Sequence, residues 1–260
     1  MLMDENKKRG AFFDAIFLKK NRRGSHIGMI LSFVIFITFI VFLYSVVKPA
    51  INTGEDKKSI LSSLEMEVIK NVSLNLTTAS VQVNVNSGKN CIQLSNFLGF
   101  SEMYTPGIIA QDEQNNVETG YSNYNQGGSD VMIIAGNKNK PFFKIYHSTN
   151  FSFLPPVPSG TSCTSVTDYS IGSISTNKYA FENKIKYIMD YYKNNYDSLR
   201  TGLKITPGND FGLGFTDSTG VKTEVGTAPE KASVFADEIP IQYVDKNANV
   251  LSGFINLKVW

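Results

Sequence analysis

Charge is scarce in this chain: 18% of its 260 residues are Asp, Glu, Lys or Arg, below the roughly 25% usual in soluble domains. The 25 basic and 23 acidic side chains leave a net of +2, which gives no basic footprint for nucleic acid. Histidine and cysteine are scarcer still, two of each, so there is little material for a zinc centre or for Cys/His catalysis. The sequence has no Gly-x-Ser-x-Gly elbow, no alternating Asp/Asn calcium ladder and no internal repeat. Apolar residues, at 42%, are plentiful. At this length they can bury a sizeable core, which argues against wholesale disorder.

The strongest feature is the run from Ile27 to Val47, 21 residues without a charge. As a helix it covers about 30 Å, the thickness of a bilayer's hydrocarbon core. Core helices of soluble domains rarely stay wholly apolar for so long. A cleaved secretory signal has an apolar region of about 7–15 residues and a small-x-small cleavage site; this run is longer, and Val46 to Ala50 offers no such site. The segment is expected to span a lipid bilayer once and to stay in the mature chain.

Its flanks predict an orientation. Residues 1–24 carry seven basic side chains against three acidic ones, a net of +4, whereas the remaining 18 basic and 20 acidic residues give −2. Lys/Arg excess beside a first span holds that end in the cytoplasm, so the large C-terminal part is expected outside the cell membrane.

Directly before the span stands Lys20-Asn21-Arg22-Arg23-Gly24-Ser25-His26-Ile27-Gly28. This order resembles type IV pilins and archaeal pilin-like proteins with class III signal peptides. The resemblance implies a cut between Gly24 and Ser25 by a prepilin-peptidase-like protease, with Arg23 part of the processing site. It also implies that the retained helix packs with other pilin-like subunits through residues 25–70. Pro49 falls where the long helix of many pilins bends. Met29 stands where bacterial pilins usually carry an acidic residue, and the leader is long. Phe12, Phe13, Ile16 and Phe17 share one helical face beside lysines, as in an interfacial helix. An uncleaved anchor presenting a surface adhesin or receptor ectodomain is the rival reading. The C-terminal half is similar, more loosely, to uncharacterised archaeal pilin-like proteins: a Tyr-rich helix, the strand Asp210 to Phe215, and a closing hairpin ending Lys258-Val259-Trp260.

The expected division is a basic cytoplasmic leader 1–24, a transmembrane helix 25–48, a helical stem 49–70 with Thr53 as N-cap, and an α+β head 71–260. Alternation at period two predicts strands around Val72–Leu76 and Val81–Val85. Val131–Ala135 and Phe142–Tyr146 read as a hairpin across the Asn137–Pro141 turn. Tyr104 to Asp130 reads as a long Gly/Asn/Gln-rich loop, and Ser148 to Ser162 as another. Tyr179 to about Leu203 has helical spacing through Phe181, Ile185, Ile188, Tyr192, Leu199 and Leu203. Phe211–Phe215 is a strand followed by a turn at Asp217–Gly220, and Ser233–Val244 with Val250–Trp260 is a hairpin. The fold class is α+β: one N-terminal transmembrane helix, then a largely antiparallel sheet with a packed helix.

Few residues suggest chemistry. Cys91 and Cys163 lie on the exported side and are expected to form a disulfide. Asn71, Asn75 and Asn150 head N-x-Ser/Thr tripeptides, candidate glycosylation acceptors. His147 is the single exported histidine and lacks a nucleophile motif. Gly212-Leu213-Gly214 lacks the third glycine and following helix of a phosphate cradle, so close packing explains it better. Asp112-Glu113 and Asp237-Glu238 are isolated acidic pairs. Tyr187, Tyr191, Tyr196, Tyr104, Tyr121 and Tyr124 can either bind a glycan or protein surface or pack at the head's edge. No catalytic residue, metal ligand, cofactor or nucleic-acid partner is expected. An anchored hydrolase has no supporting motif.

Overall fold

The computed structural model describes residues 25–84, 91–100, 107–122, 129–134, 141–152, 155, 160 and 163–260. The chain divides into two units, Met1–Asp56 and Lys57–Trp260. Helix α1, Ser25–Val72, runs through the boundary and through Pro49. Thr53, expected as an N-cap, instead sits inside the helix. Proline removes one backbone hydrogen bond, and here α1 continues past it to turns anchored in the head's core.

That anchoring comes from Leu64, Val68 and Val72, all fully buried, with Leu61 nearly so. Each such side chain contributes about 1.5–3 kcal/mol of apolar burial. Glu67, on the same stretch, pairs with Lys204 at the exit of a later helix and with Lys70 one turn on. The hydrogen bond from Lys204 is the main reason the Glu67 carboxyl titrates below its ordinary 4.5. A depressed carboxylate stabilises the fold fully above its unfolded pKa and loses that contribution as pH falls through the lower folded value. Glu67→Gln is accordingly expected to lower the urea midpoint at neutral pH, and the variant and parent curves to converge in acid. Parallel curves across that window would contradict the pairing.

Among the described residues the head has twelve strands: β1 Ser73–Val83, β2 Cys91–Leu94, β3 Ile108–Gln111, β4 Val117–Ser122, β5 Val131–Ile134, β6 Phe142–His147, β7 Thr164–Val166, β8 Tyr169–Phe181, β9 Phe211–Thr216, β10 Lys222–Val225, β11 Phe235–Val244 and β12 Val250–Val259. Three helices join them: α2 Phe97–Phe100, α3 Glu182–Asn194 and α4 Tyr196–Gly202. The sheet order is β10-β9-β12-β11-β8-β1-β6-β3-β4-β5-β2-β7. All pairs are antiparallel except β8 with β11 and β2 with β7. The mixed, mostly antiparallel class read from the sequence holds.

Among the described residues three apolar clusters fill the head, the smallest of them Leu76, Phe181 and Val244; the two larger flank the long central pair β1–β8. One packs Leu61, Leu64, Val68 and Val72 of α1 and Ile185, Ile188 and Met189 of α3 on β9, β11 and β12. The other joins Ala79, Val81 and Val83 of β1 to Ile92, Leu94, Val131 and Ile133 of β2 and β5. The far end of the sheet therefore folds back over its own middle. The Cys91–Cys163 disulfide is formed and closes this end, beside the parallel β2–β7 pair.

Several elements differ from expectation. Ser73–Val83 is one strand, with Val72 the last helical residue; Val85 lies outside the described residues. The expected loop from Tyr104 to Asp130 contains β3 and β4, strands too short to register a period. β5 and β6 are not a hairpin: β3 and β4 stand between them. The expected helix from Tyr179 begins only at Glu182, because Tyr179 and Phe181 end β8, and it breaks at Asn195. Spacing of two and spacing of four both fit Tyr179, Phe181 and Ile185, so periodicity alone could not place that boundary.

Three hairpins share one turn geometry; two of them stand where turns were expected, at Asp217–Gly220 and between β11 and β12, and the third, at Asp112, lies inside the expected long loop. Asp112, Asp217 and Asp245 each accept, through Oδ1, backbone N–H groups two and four residues ahead. In each the residue three ahead has a positive φ: Asn115 at 62°, Gly220 at 84°, Ala248 at 68°. This is the three-residue hairpin with a left-handed closing position, and the aspartate holds it shut.

Candidate functional site

Within the first unit, His26–Val47 is a 22-residue helical stretch of mean hydropathy 2.8, none of it buried. Its apolar side chains cover every face: Phe33, Phe36, Phe39 and Phe42 are 55–64% exposed, and Ile35 and Ile40 are exposed with them. The few polar groups turn inward on the backbone. Thr38 donates to the Val34 carbonyl at 2.6 Å, and Ser45 to the Val41 carbonyl at 2.8 Å. That is how a hydroxyl is accommodated where water is absent. Gly28 leaves open space beside the helix. One N-terminal apolar helix long enough to cross a bilayer is thus present. Arg23 and Gly24 lie outside the described residues, and Ser25 is the first residue of α1.

The head carries a cleft of about 630 Å³ bordering the small cluster of Leu76, Phe181 and Val244. Ile108, Phe151, Phe181 and Val244 line it, with Phe151 and Phe181 edge to face at 5.8 Å. Two pairs form within its polar lining: Lys186 with Glu182 at 2.5 Å, and the Asn150 amide donating to Asn183 Oδ1 at 2.5 Å. Asp245 and Lys246 come from the β11–β12 turn. That turn is tied to β3 by the buried Gln111, whose Nε2 donates to the Asn247 carbonyl at 2.6 Å. Among the described residues its lining contains no histidine or cysteine.

The other sequence candidates separate. Tyr187 and Tyr191 stack on α3 at 5.9 Å beside Asn71, with Tyr187 61% exposed. Tyr196 instead stacks on the buried Phe211 and donates to Asp210 at 2.7 Å; burial first, then that bond, pushes its hydroxyl pKa far above the ordinary 10. Tyr192 donates to the Phe211 carbonyl at 2.7 Å, and burial likewise raises its pKa. Tyr121 lies in β4; Tyr104 and Tyr124 fall outside the described residues.

Asn71 lies in the last turn of α1 and donates to the Glu67 carbonyl, whereas Asn75 is exposed on β1. His147 closes β6, half-buried. Asp112 serves its turn, while Asp237 and Glu238 sit exposed on β11. Gly212 and Gly214 meet the packing expectation: a Cβ on either would lie 3.0–3.1 Å from backbone or side-chain atoms of neighbouring strands. Among the described residues no group of three or more His, Cys, Asp or Glu is placed to hold a metal ion. Compared with protein-family models, curated proteins and solved structures, the chain matches none.

Proposed function

We propose that this chain is a pilin-like structural subunit of a cell-surface filament or secretion pseudopilus, held in the cell membrane and assembled through its N-terminal helix. One observation carries the reading: α1 is a single helix whose first part is apolar on every face and whose last turns are built into the head's core. A helix apolar all round is stable only in lipid or in a bundle of like helices. The same helix supplies Leu64, Val68 and Val72 to the head's core. The basic leader, with its net of +4, would stay in the cytoplasm and leave the head outside. Removing that leader at Gly24–Ser25 would free an uncharged helix end to leave the bilayer for an equally apolar filament core. A prepilin-peptidase-like protease and further pilin-like subunits are the partners this requires.

Mass spectrometry of the mature N-terminus tests it. A chain beginning at Ser25 is expected. A mature chain that retains Met1 overturns the pilin-like reading and leaves a plain anchored ectodomain. Arg23→Ala combined with Gly24→Val is expected to block maturation while leaving membrane insertion intact, since neither residue lies in the span. Normal processing of that variant would place the cut elsewhere.

A further inference from the structure

The cleft beside Phe181 and Val244 has the volume of a small-molecule site: about 630 Å³, within the roughly 300–1,000 Å³ usual for such sites. Its walls are held from behind. Phe181 and Val244 are buried. The β11–β12 turn is closed by Asp245, which accepts from the Asn247 and Asn249 N–H groups at 2.8 Å, and is tied to β3 through Gln111. A ligand entering here has little protein to order, which is what preorganisation contributes to affinity.

The polar groups of the cleft form two adjacent donor–acceptor pairs at the start of α3. The Asn150 amide occupies Asn183 Oδ1, which leaves Asn183 Nδ2 as a donor and Asn150 Oδ1 as an acceptor side by side; among the described residues neither atom has another partner. Lys186 meets Glu182 Oε1, so Lys186 keeps further N–H groups beside Glu182 Oε2. A hydroxyl both donates and accepts, and two neighbouring hydroxyls on one ligand match such a pair. Apolar surface lies close by. Phe151 and Ile109 are half-buried, and Val117 is 48% exposed. The Phe151 ring is fixed edge to face on Phe181.

Charge narrows the ligand further. Glu118, Glu182 and Asp245 stand against Lys186 and Lys246, so the lining favours neither a polyanion nor a polycation. A wholly apolar ligand would strip water from polar groups that it cannot bond. We propose that this cleft binds a short neutral oligosaccharide. Its ring hydroxyls bond the Asn150–Asn183 and Glu182–Lys186 pairs, and the C–H face of a sugar ring lies on Phe151. The inference goes beyond filament assembly: it serves a filament subunit and an anchored ectodomain alike, and its test does not depend on where the mature chain begins.

Amide hydrogen exchange of the full chain in lipid nanodiscs, which avoid sugar-based detergents, tests it. Maltotriose, cellotriose, mannotriose and triacetylchitotriose serve as separate neutral probes, with trigalacturonate as the anionic one. At least one neutral trisaccharide is expected to slow exchange in 150–152 and 182–186 while leaving Phe211–Thr216 unchanged. Asn183→Ala, at an exposed position, should raise the Kd for that sugar about tenfold, the scale of one lost polar contact. Lys186→Met keeps the side-chain stem and should do the same, which provides a second reading if one variant folds poorly. The mass of the peptide holding Asn150 separates a free ligand from a sugar carried by the chain itself: an unmodified mass is expected, and a glycan attached there would overturn the free-ligand reading. No slowing by any neutral probe, slowing by trigalacturonate alone, or an unchanged Kd in both variants would overturn the proposal.

Discussion

Phe211→Ala is expected to destabilise the head by about 4 kcal/mol, the usual cost of emptying a fully buried aromatic site. Phe211 has no exposed surface. Its ring meets Tyr192 edge-on at 5.1 Å and stacks with Tyr196 at 5.6 Å. The residue also sits where β9 begins, and Tyr192 closes on its carbonyl, so the ring is the point at which α3 and α4 dock on the sheet. Alanine leaves a cavity that two tyrosines, already fixed by their hydrogen bonds, cannot fill. Tyr196→Phe keeps the ring and removes only the bond to Asp210, and should cost about 1 kcal/mol. Urea unfolding of the detergent-solubilised chain, followed by near-ultraviolet circular dichroism, measures both. Similar losses in the two variants would mean that the ring does not anchor the helices.

Opening the Cys91–Cys163 bridge is expected to cost a comparable amount. The two residues are 72 apart in sequence, and closing a loop of that size is worth about 4 kcal/mol in the chain-entropy model. The loss should be local as well as global. The bridge stands at the start of β2 and just before β7, a parallel pair of only three residue partners at the end of the sheet. Cys91→Ser with Cys163→Ser should raise amide exchange in 91–94 and 164–166 first, while Phe211–Thr216 keeps its protection. Exchange unchanged at β2 and β7 would show that those strands hold without the bridge.

The parts of this structure visible in the sequence are those with a long, single-valued pattern. The apolar run from Ile27 is one; the hairpin of β11 and β12 is another, because ten-residue strands separated by an Asp/Asn-rich turn admit one pairing. Ile185, Ile188, Leu199 and Leu203 occupy the core as their spacing required. Legibility fails where elements are short or where partners are remote. β3 and β4 have four and six residues, and β6 pairs with β1 and β3 rather than with its neighbour in sequence, which no local pattern records. Of the three aspartate-closed turns, those at Asp217 and Asp245 stood between readable strands, whereas the one at Asp112 joins the short β3 and β4 and its trace, an Asp with Asn three residues on, is easily lost in so Asn-rich a chain. Of the candidate site residues, the disulfide could be read because only one pairing of two cysteines exists. The cleft could not, since its lining comes from five separate parts of the chain.

The account rests on His26–Val47 residing in lipid or among like helices, and detergent-free fractionation of the full chain measures this directly. The chain should leave the soluble fraction, pelleting with membranes or with sheared surface filaments and entering solution only with detergent. Recovery as a soluble monomer in plain buffer, with that helix intact and shielded by its own head, would contradict it.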